Sequence, residues 1–242
     1  VALSQVWPAI ISLGNTRMGT MGLLPEILAT YELLTGYAPA RPTGTNQIKH
    51  FTNSIAFEEV TFGYPGRKVL LENVNLRINK GESTALIGPS GGGKTTIINL
   101  ILGVFQADSG NIKIDNTPLC ELKHEDWLSH IGLVSQETFT FHSTIANNIL
   151  FGRDYSREEV IEAAKISGAH KFIATLPEGY DTLVGEQGMK LSGGQQQRIA
   201  LSRAILSDPS ILIFDEATSA LDSISEHEIQ EAIERISKGR TV

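Results

Sequence analysis

The sequence predicts an α/β fold, and three stretches carry that prediction. Ser83-Thr84-Ala85-Leu86-Ile87 reads as a short buried strand, and Ile97-Ile98-Asn99-Leu100-Ile101-Leu102 as the apolar face of a helix. Gly88-Pro89-Ser90-Gly91-Gly92-Gly93-Lys94-Thr95-Thr96 joins them, so its glycines sit where a strand turns into a helix N-terminus. Ile211-Leu212-Ile213-Phe214 is an apolar run too short for a globular helix and reads as a central strand, with Asp215 and Glu216 at its carboxyl end.

The glycine-rich loop has a direct chemical meaning. At a helix N-terminus several backbone N–H groups lack partners, and the helix dipole favours negative charge. Glycine lets the backbone curl around a phosphate with no side chain in the way. Lys94 can reach terminal phosphates, and the Thr95 hydroxyl can hold a magnesium ion. The stretch meets G-x-x-x-x-G-K-[ST] at every fixed position. It resembles a Walker A motif, which implies nucleoside triphosphate binding.

Bulk properties narrow the class. The chain has 242 residues, 41% hydrophobic and 19% charged, ordinary for a globular protein. Its formal net charge of −7, without a long Lys/Arg run, argues against nucleic acid as the main partner. A single cysteine, Cys120, excludes an internal disulfide framework and reads as a small buried hydrophobe. The first residue is valine, which suggests a fragment or a processed product.

Residues 1–16 carry no charge, and Met18, Met21, Leu24, Leu28, Tyr31 and Leu34 form a helical stripe. The uncharged part is shorter than the ~20 residues needed to span a bilayer. Residues 1–37 read either as a helix packed on the domain or as the tail of a membrane helix. Residues 38–50, with Pro39, Pro42 and Gly44 among small and polar residues, read as a linker. Ile55–Thr61 and Val74–Ile78 alternate like strands with one exposed face, and Tyr64 between them could stack on a base. Gly110–Asp115 reads as a further strand and turn, Leu119–His130 as a short helix, and Ile131–Val134 as a buried strand. Gln136 leaves the carboxyl end of that strand, where ligand crevices of α/β sheets lie.

Residues 143–208 show successive helical patterns and no convincing strand. Ser156-Arg157-Glu158-Glu159 is a capping box opening a helix through Val160, Ile161, Ala164 and Ile166. Leu191-Ser192-Gly193-Gly194-Gln195 precedes an amphipathic helix, and Ser192 with Gln195 again fits a capping box. The box does not explain Gly193 and Gly194. Two glycines in a first turn cost roughly 1 kcal/mol each against alanine, which makes sense if a ligand approaches the backbone closely. A second exposed helix N-terminus is a second anion site. It is expected to close on nucleotide held by another copy of the chain. After Asp222 a further helix is expected, with Ile229, Ile233 and Ile236 on one face, and Lys238–Val242 begins another strand.

Leu191-Ser192-Gly193-Gly194-Gln195, together with the Walker A stretch, Gln136 and Ile211–Glu216, resembles the signature set of ATP-binding cassette (ABC) ATPases over roughly residues 51–242. The resemblance implies a P-loop NTPase (RecA-like) core, an antiparallel β subdomain, and an all-helical signature subdomain at about 137–209. It implies a head-to-tail dimer around two Mg-ATP. By matching position, Tyr64 would stack on adenine and Lys94 would bind phosphates. Thr95, Gln136 and Asp215 would serve the Mg2+ shell, and Glu216 would be the catalytic base. Ser192, Gly193, Gly194 and Gln195 would contact the γ-phosphate in trans, and Asp222 would lie in the loop coupling the two sites.

Thr182–Gly188 resembles the loop of exporters that contacts transmembrane domains, so residues 1–37 are expected to be the cytoplasmic end of the last membrane helix. None of the six histidines occupies the family's switch position, and the sequence stops at Val242 before reaching it. The expectation is a truncated ATPase domain that binds ATP but turns it over poorly. Its setting would be the cytoplasmic face of a membrane, its partners the transmembrane domain and a second ATPase domain. A soluble ABC ATPase acting on DNA or ribosomes, and a nucleotide-binding module without turnover, are the alternatives.

Overall fold

The computed structural model describes residues 44–135, 138–185, 188–215 and 223–242. Its largest sheet is antiparallel in the order β2-β1-β3-β4, formed by β1 (Ser54–Gly63), β2 (Val69–Asn79), β3 (Ser109–Ile114) and β4 (Thr117–Pro118). β1 pairs with both β2 and β3, so it is the central strand.

One bulge decides which residues of β1 face the core. Ile55 and Phe57 are odd-numbered and buried, whereas Val60 and Phe62 are even-numbered and equally buried. A strict period of two cannot place all four on one face. The register shifts between Phe57 and Val60, where Glu58 and Glu59 both point outward and Glu59 takes φ 52°. The extra residue resets the alternation. Opposite it, Gly110 has φ +81°, and a Cβ there would lie 2.3 Å from the Glu59 carbonyl oxygen. Side chains take up polar groups along the disturbed ladder. Glu59 N–H donates to Asn75 Oδ1 (3.1 Å) and Asn73 N–H to Thr61 Oγ1 (3.1 Å).

The end of β3 is locked to the start of β1 by one carboxylate. Asp115 accepts from Thr52 N–H (3.0 Å), Thr52 Oγ1 (2.8 Å), Asn53 N–H (2.6 Å) and Ser54 N–H (3.1 Å). Burial pushes its pKa up, but the four hydrogen bonds outweigh this and hold it below the ordinary value of 3.8. The sheet packs over α1 (Lys94–Ile101) and α2 (His124–Ser129), with Phe51, Leu100, Ile101 and Trp127 in the shared core. Trp127 is fully buried, and its indole N–H donates to the Ile101 carbonyl at 2.7 Å.

A second core gathers β5 (Ile131–Val134), β8 (Ile211–Phe214) and helices α3 (Ile145–Leu150), α4 (Arg157–Ile166), α5 (Ala169–Ile173), α6 (Gly193–Ile205) and α7 (Ser223–Ser237). β5 and β8 pair in parallel, Ile131 opposite Ile211 through Val134 opposite Phe214. α6 lies very close to them: a Cβ on Gly132 would sit 2.4 Å from the Ala204 carbonyl oxygen. Both expected capping boxes are present, Ser156 with Glu159 and Ser192 with Gln195. Ile229 and Ile236 of α7 are buried and Ile233 packs beside them.

Four local expectations are revised. Ser83–Ile87 is not a buried strand; Ile87 is 95% exposed. Its backbone link is to Val242: Thr84 N–H donates to the Val242 carbonyl (2.8 Å) and Val242 N–H to the Glu82 carbonyl (3.0 Å). Thr241 in turn bridges Ile211 in parallel. Residues 241–242 therefore lie between β8 and the segment. Leu119–His130 is not one helix, because Leu122 turns extended and buries its side chain between a 3-10 turn at Leu119–Glu121 and α2. Residues 143–208 do contain strand: β6 (Ser143–Thr144) pairs antiparallel with β7 (Leu183–Val184). Cys120 is exposed, because its 3-10 turn directs Leu119 to the core instead.

Replacing Asp115 with alanine leaves three backbone donors without their acceptor. The expected cost is about 1–3 kcal/mol of stability at neutral pH, measured by urea unfolding. A carboxylate with a depressed folded pKa contributes fully above its unfolded pKa and loses that contribution as pH falls through the folded value. The gap between wild type and Asp115→Ala should therefore narrow below about pH 4.

Candidate functional site

The glycine loop is an open cradle. Gly91 and Gly93 take φ +76° and +87°, a region that favours glycine. Gly93 is the N-cap of α1 in a left-handed conformation, with no side-chain cap on the helix. A Cβ on Gly93 would also lie 2.8 Å from Leu71 Cδ2. The first-turn N–H groups of α1 therefore have no capping side chain, and residues 88–92 are exposed. That is the arrangement an anion needs. Lys94 Nζ folds back onto the carbonyls of Gly88 (2.9 Å) and Pro89 (3.0 Å), which holds a positive charge at the loop.

β8 delivers a carboxylate to the same place. Asp215 follows Phe214, and its N–H donates to the Val134 carbonyl of β5 at 2.9 Å. Its Oδ2 accepts from Thr95 Oγ1 at 3.1 Å, across 120 residues of sequence. A hydroxyl and a carboxylate oxygen thus meet beside the phosphate cradle, a donor set suited to a hard divalent cation. Among the described residues no group of three or more His, Cys, Asp or Glu gathers to hold a metal.

Tyr64 also reaches the loop helix. Its hydroxyl lies 3.0 Å from Thr96 Oγ1, and its ring packs edge-on against Phe62 and Phe105. Tyr64, Lys94, Thr95, Thr96 and Asp215 are therefore brought together with Gly88–Gly93. Gln136, Glu216 and Asp222 lie outside the described residues.

The segment Ser192-Gly193-Gly194-Gln195 forms the N-terminus of α6, capped by reciprocal bonds. Gln195 N–H donates to Ser192 Oγ (3.3 Å) and Ser192 N–H to Gln195 Oε1 (2.9 Å). Ser192 and Gly193 are exposed, while Gly194 is buried. Among the described residues no hydrogen bond links this turn to the phosphate loop of the same chain. The helix is braced from behind by the Arg198–Glu228 ion pair to α7 and by Arg198 over the Phe172 ring.

Sequence reasoning missed a cluster organised by Asn148 and Arg203. Asn148 is fully buried and bonds Phe141 N–H (2.8 Å) and the carbonyls of Phe141 and Thr144 (both 3.0 Å). Arg203 donates to the carbonyls of Asn148 (2.9 Å) and Phe139 (3.1 Å) and lies 4.5 Å from the Phe151 ring centroid. Burial, helped by nearby Arg153, pulls its pKa down to about 10. Phe139, Phe141 and Phe151 remain largely exposed above it. The available signal was an arginine within the apolar stripe of α6, with Phe139 and Phe141 in the loop before β6 and Phe151 at the end of α3.

The sequence profile of the ABC transporter family matches residues 71–219, well over half of the chain. A putative multidrug export ATP-binding/permease protein, YgaD of Bacillus subtilis, is 48% identical over 189 residues, covering 77% of this chain and 33% of the relative. An ATP-dependent lipid A-core flippase of Legionella pneumophila (strain Paris) is 52% identical over 188 residues, 77% of this chain and 32% of the relative. The structure of a bacterial Atm1-family ABC exporter with ATP bound superposes with a TM-score of 0.79 at 37% identity, covering 88% of this chain and 38% of that one. The fold and loop define a P-loop ATPase domain. The chain belongs to the ABC transporter family. It spans about a third of the length of these bacterial relatives.

Among the described residues, Lys94 Nζ hydrogen-bonds two carbonyls of an exposed loop. Lys94→Ala should therefore change folding stability by no more than about 0.5 kcal/mol. Nucleotide affinity, measured by calorimetry, should fall roughly ten- to a hundredfold, as loss of a charge-assisted contact predicts.

Proposed function

We propose that this chain is the ATP-hydrolysing domain of an exporter. In this reading it works as one of two such domains closing head-to-tail around two ATP, at the cytoplasmic face of a membrane. The observation that carries the reading is the Thr95–Asp215 hydrogen bond beside an uncapped, glycine-lined helix N-terminus. Residues 51–242 would form the ATPase domain and about 137–209 its helical subdomain. Residues 38–50 would be the linker, and residues 1–37 the cytoplasmic end of a membrane helix in the same polypeptide. Among the described residues no helix is long and apolar enough to cross a membrane. The name of the Bacillus relative, which joins ATP-binding and permease functions, supports the fused arrangement.

Each residue has a physical task in this reading. The N–H groups of Gly91–Thr95 and the Lys94 ammonium hold the β- and γ-phosphates. Thr95, Asp215 and Gln136 would hold Mg2+, which when bound neutralises charge on the transferred phosphoryl group. Tyr64 offers its ring to the adenine. Glu216, directly after Asp215 in sequence, accepts a proton from the attacking water. Ser192–Gln195 of the second copy presents its own helix N-terminus to the γ-phosphate. That placement explains why two glycines are kept where alanine would stabilise the helix by roughly 1 kcal/mol each. ATP thus binds best to the closed pair, and hydrolysis removes that differential affinity. The cycle of closing and release would drive a membrane partner.

Glu216→Gln tests the catalytic assignment. In the full-length protein it should lower ATP turnover about 10²–10⁴-fold while ATP binding persists. An unchanged rate would remove Glu216 from that role.

A further inference from the structure

We propose that Tyr64 is a positioning residue for the phosphate end of the nucleotide, beyond offering a ring to the base; this rests on the nucleotide reading above. Tyr64 and Thr96 share a hydroxyl–hydroxyl hydrogen bond of 3.0 Å. Thr96 lies in the first turn of α1, two residues after Lys94 and directly after Thr95. It is only 4% exposed, and a buried hydroxyl needs a partner. Tyr64 supplies that partner from a different element, the turn after β1 that Arg67 N–H closes onto the Tyr64 carbonyl at 2.9 Å.

The ring cannot drift away from this bond. Phe62 stands against it at 5.1 Å and 81°, and Phe105 at 5.4 Å and 87°. Phe62 belongs to β1 and Phe105 follows α1, so the aromatic contacts tie the same two elements that the hydroxyls join. Stacking alone requires a ring, which phenylalanine also has. The phenol oxygen has a separate use here. It fixes the turn of α1 that carries Lys94 and Thr95 relative to the antiparallel sheet. The base platform and the phosphate cradle are therefore joined through Tyr64 and Thr96, and loosening one end should be felt at the other even by a ligand without a base.

Inorganic tripolyphosphate with Mg2+ is such a ligand. Its affinity for the full chain, measured by calorimetry beside that of ATP, separates positioning from stacking. Tyr64→Phe should weaken tripolyphosphate and ATP by the same factor, about two- to tenfold, the range for one neutral hydrogen bond. In a Thr96→Val background Tyr64→Phe should change nothing further, because the bond is already gone. Thr96→Ser, which keeps the hydroxyl, should bind tripolyphosphate like wild type. Wild-type affinity for tripolyphosphate in Tyr64→Phe, or effects of the two changes that multiply, would overturn the proposal. A wild-type chain that binds neither ligand would overturn the nucleotide reading and this inference with it.

Discussion

The parallel pairing of β5 with β8 is the constraint on which the site depends. It sets Val134 opposite Phe214 and lets Asp215 N–H close onto Val134, so the carboxylate emerges at a fixed point. From that point Oδ2 meets the Thr95 hydroxyl of α1. The pairing in turn needs α6 pressed against β5, which Gly132 permits by having no side chain where the Ala204 carbonyl sits. One backbone contact thus connects helical packing, strand register and the placement of a charged group. The site is built by elements from both cores, which is why residues 120 apart in sequence converge.

The antiparallel sheet plays a complementary part. It carries Tyr64 at the end of β1 and holds α1 through Leu100 and Ile101. The bulge at Glu59 is what keeps Val60 and Phe62 turned inward, and Phe62 then fixes the Tyr64 ring. A distortion in a strand is thereby passed on as the orientation of a site residue. The Asp115 carboxylate, binding three consecutive backbone N–H groups, secures the start of that same strand.

Much of this was legible in the sequence because its signals are local. The glycine loop before an apolar helix, the two capping boxes, and a short apolar strand ending in Asp215 are written within ten residues each. What was missed is non-local. Ser83–Ile87 is apolar enough to suggest burial, but burial depends on what lies beside it, and among the described residues its backbone bonds Val242 while Ile87 stays exposed. Leu119–His130 has helical composition, yet the core at Leu122 breaks it into two pieces. Cys120 has the chemistry of a buried residue and a position in a turn that faces outward. The Arg203–Asn148 cluster depends on backbone carbonyls from two segments, so the arginine in the α6 pattern hints at it without naming its partners. For Gln136, Glu216 and Asp222 the sequence remains the only guide, since they fall outside the described residues.

In the proposed reading, the Thr95 hydroxyl and the Asp215 carboxylate form one cation site at the phosphate cradle. The most direct measurement is a titration of Mn2+ followed by electron paramagnetic resonance in the presence of ATP. Wild type, Thr95→Val and Asp215→Asn would be compared as full-length proteins. Each substitution should weaken Mn2+ binding by about tenfold or more, the lower end of what loss of even a supporting group costs at metal sites. Cation affinity equal to wild type in both variants would contradict it.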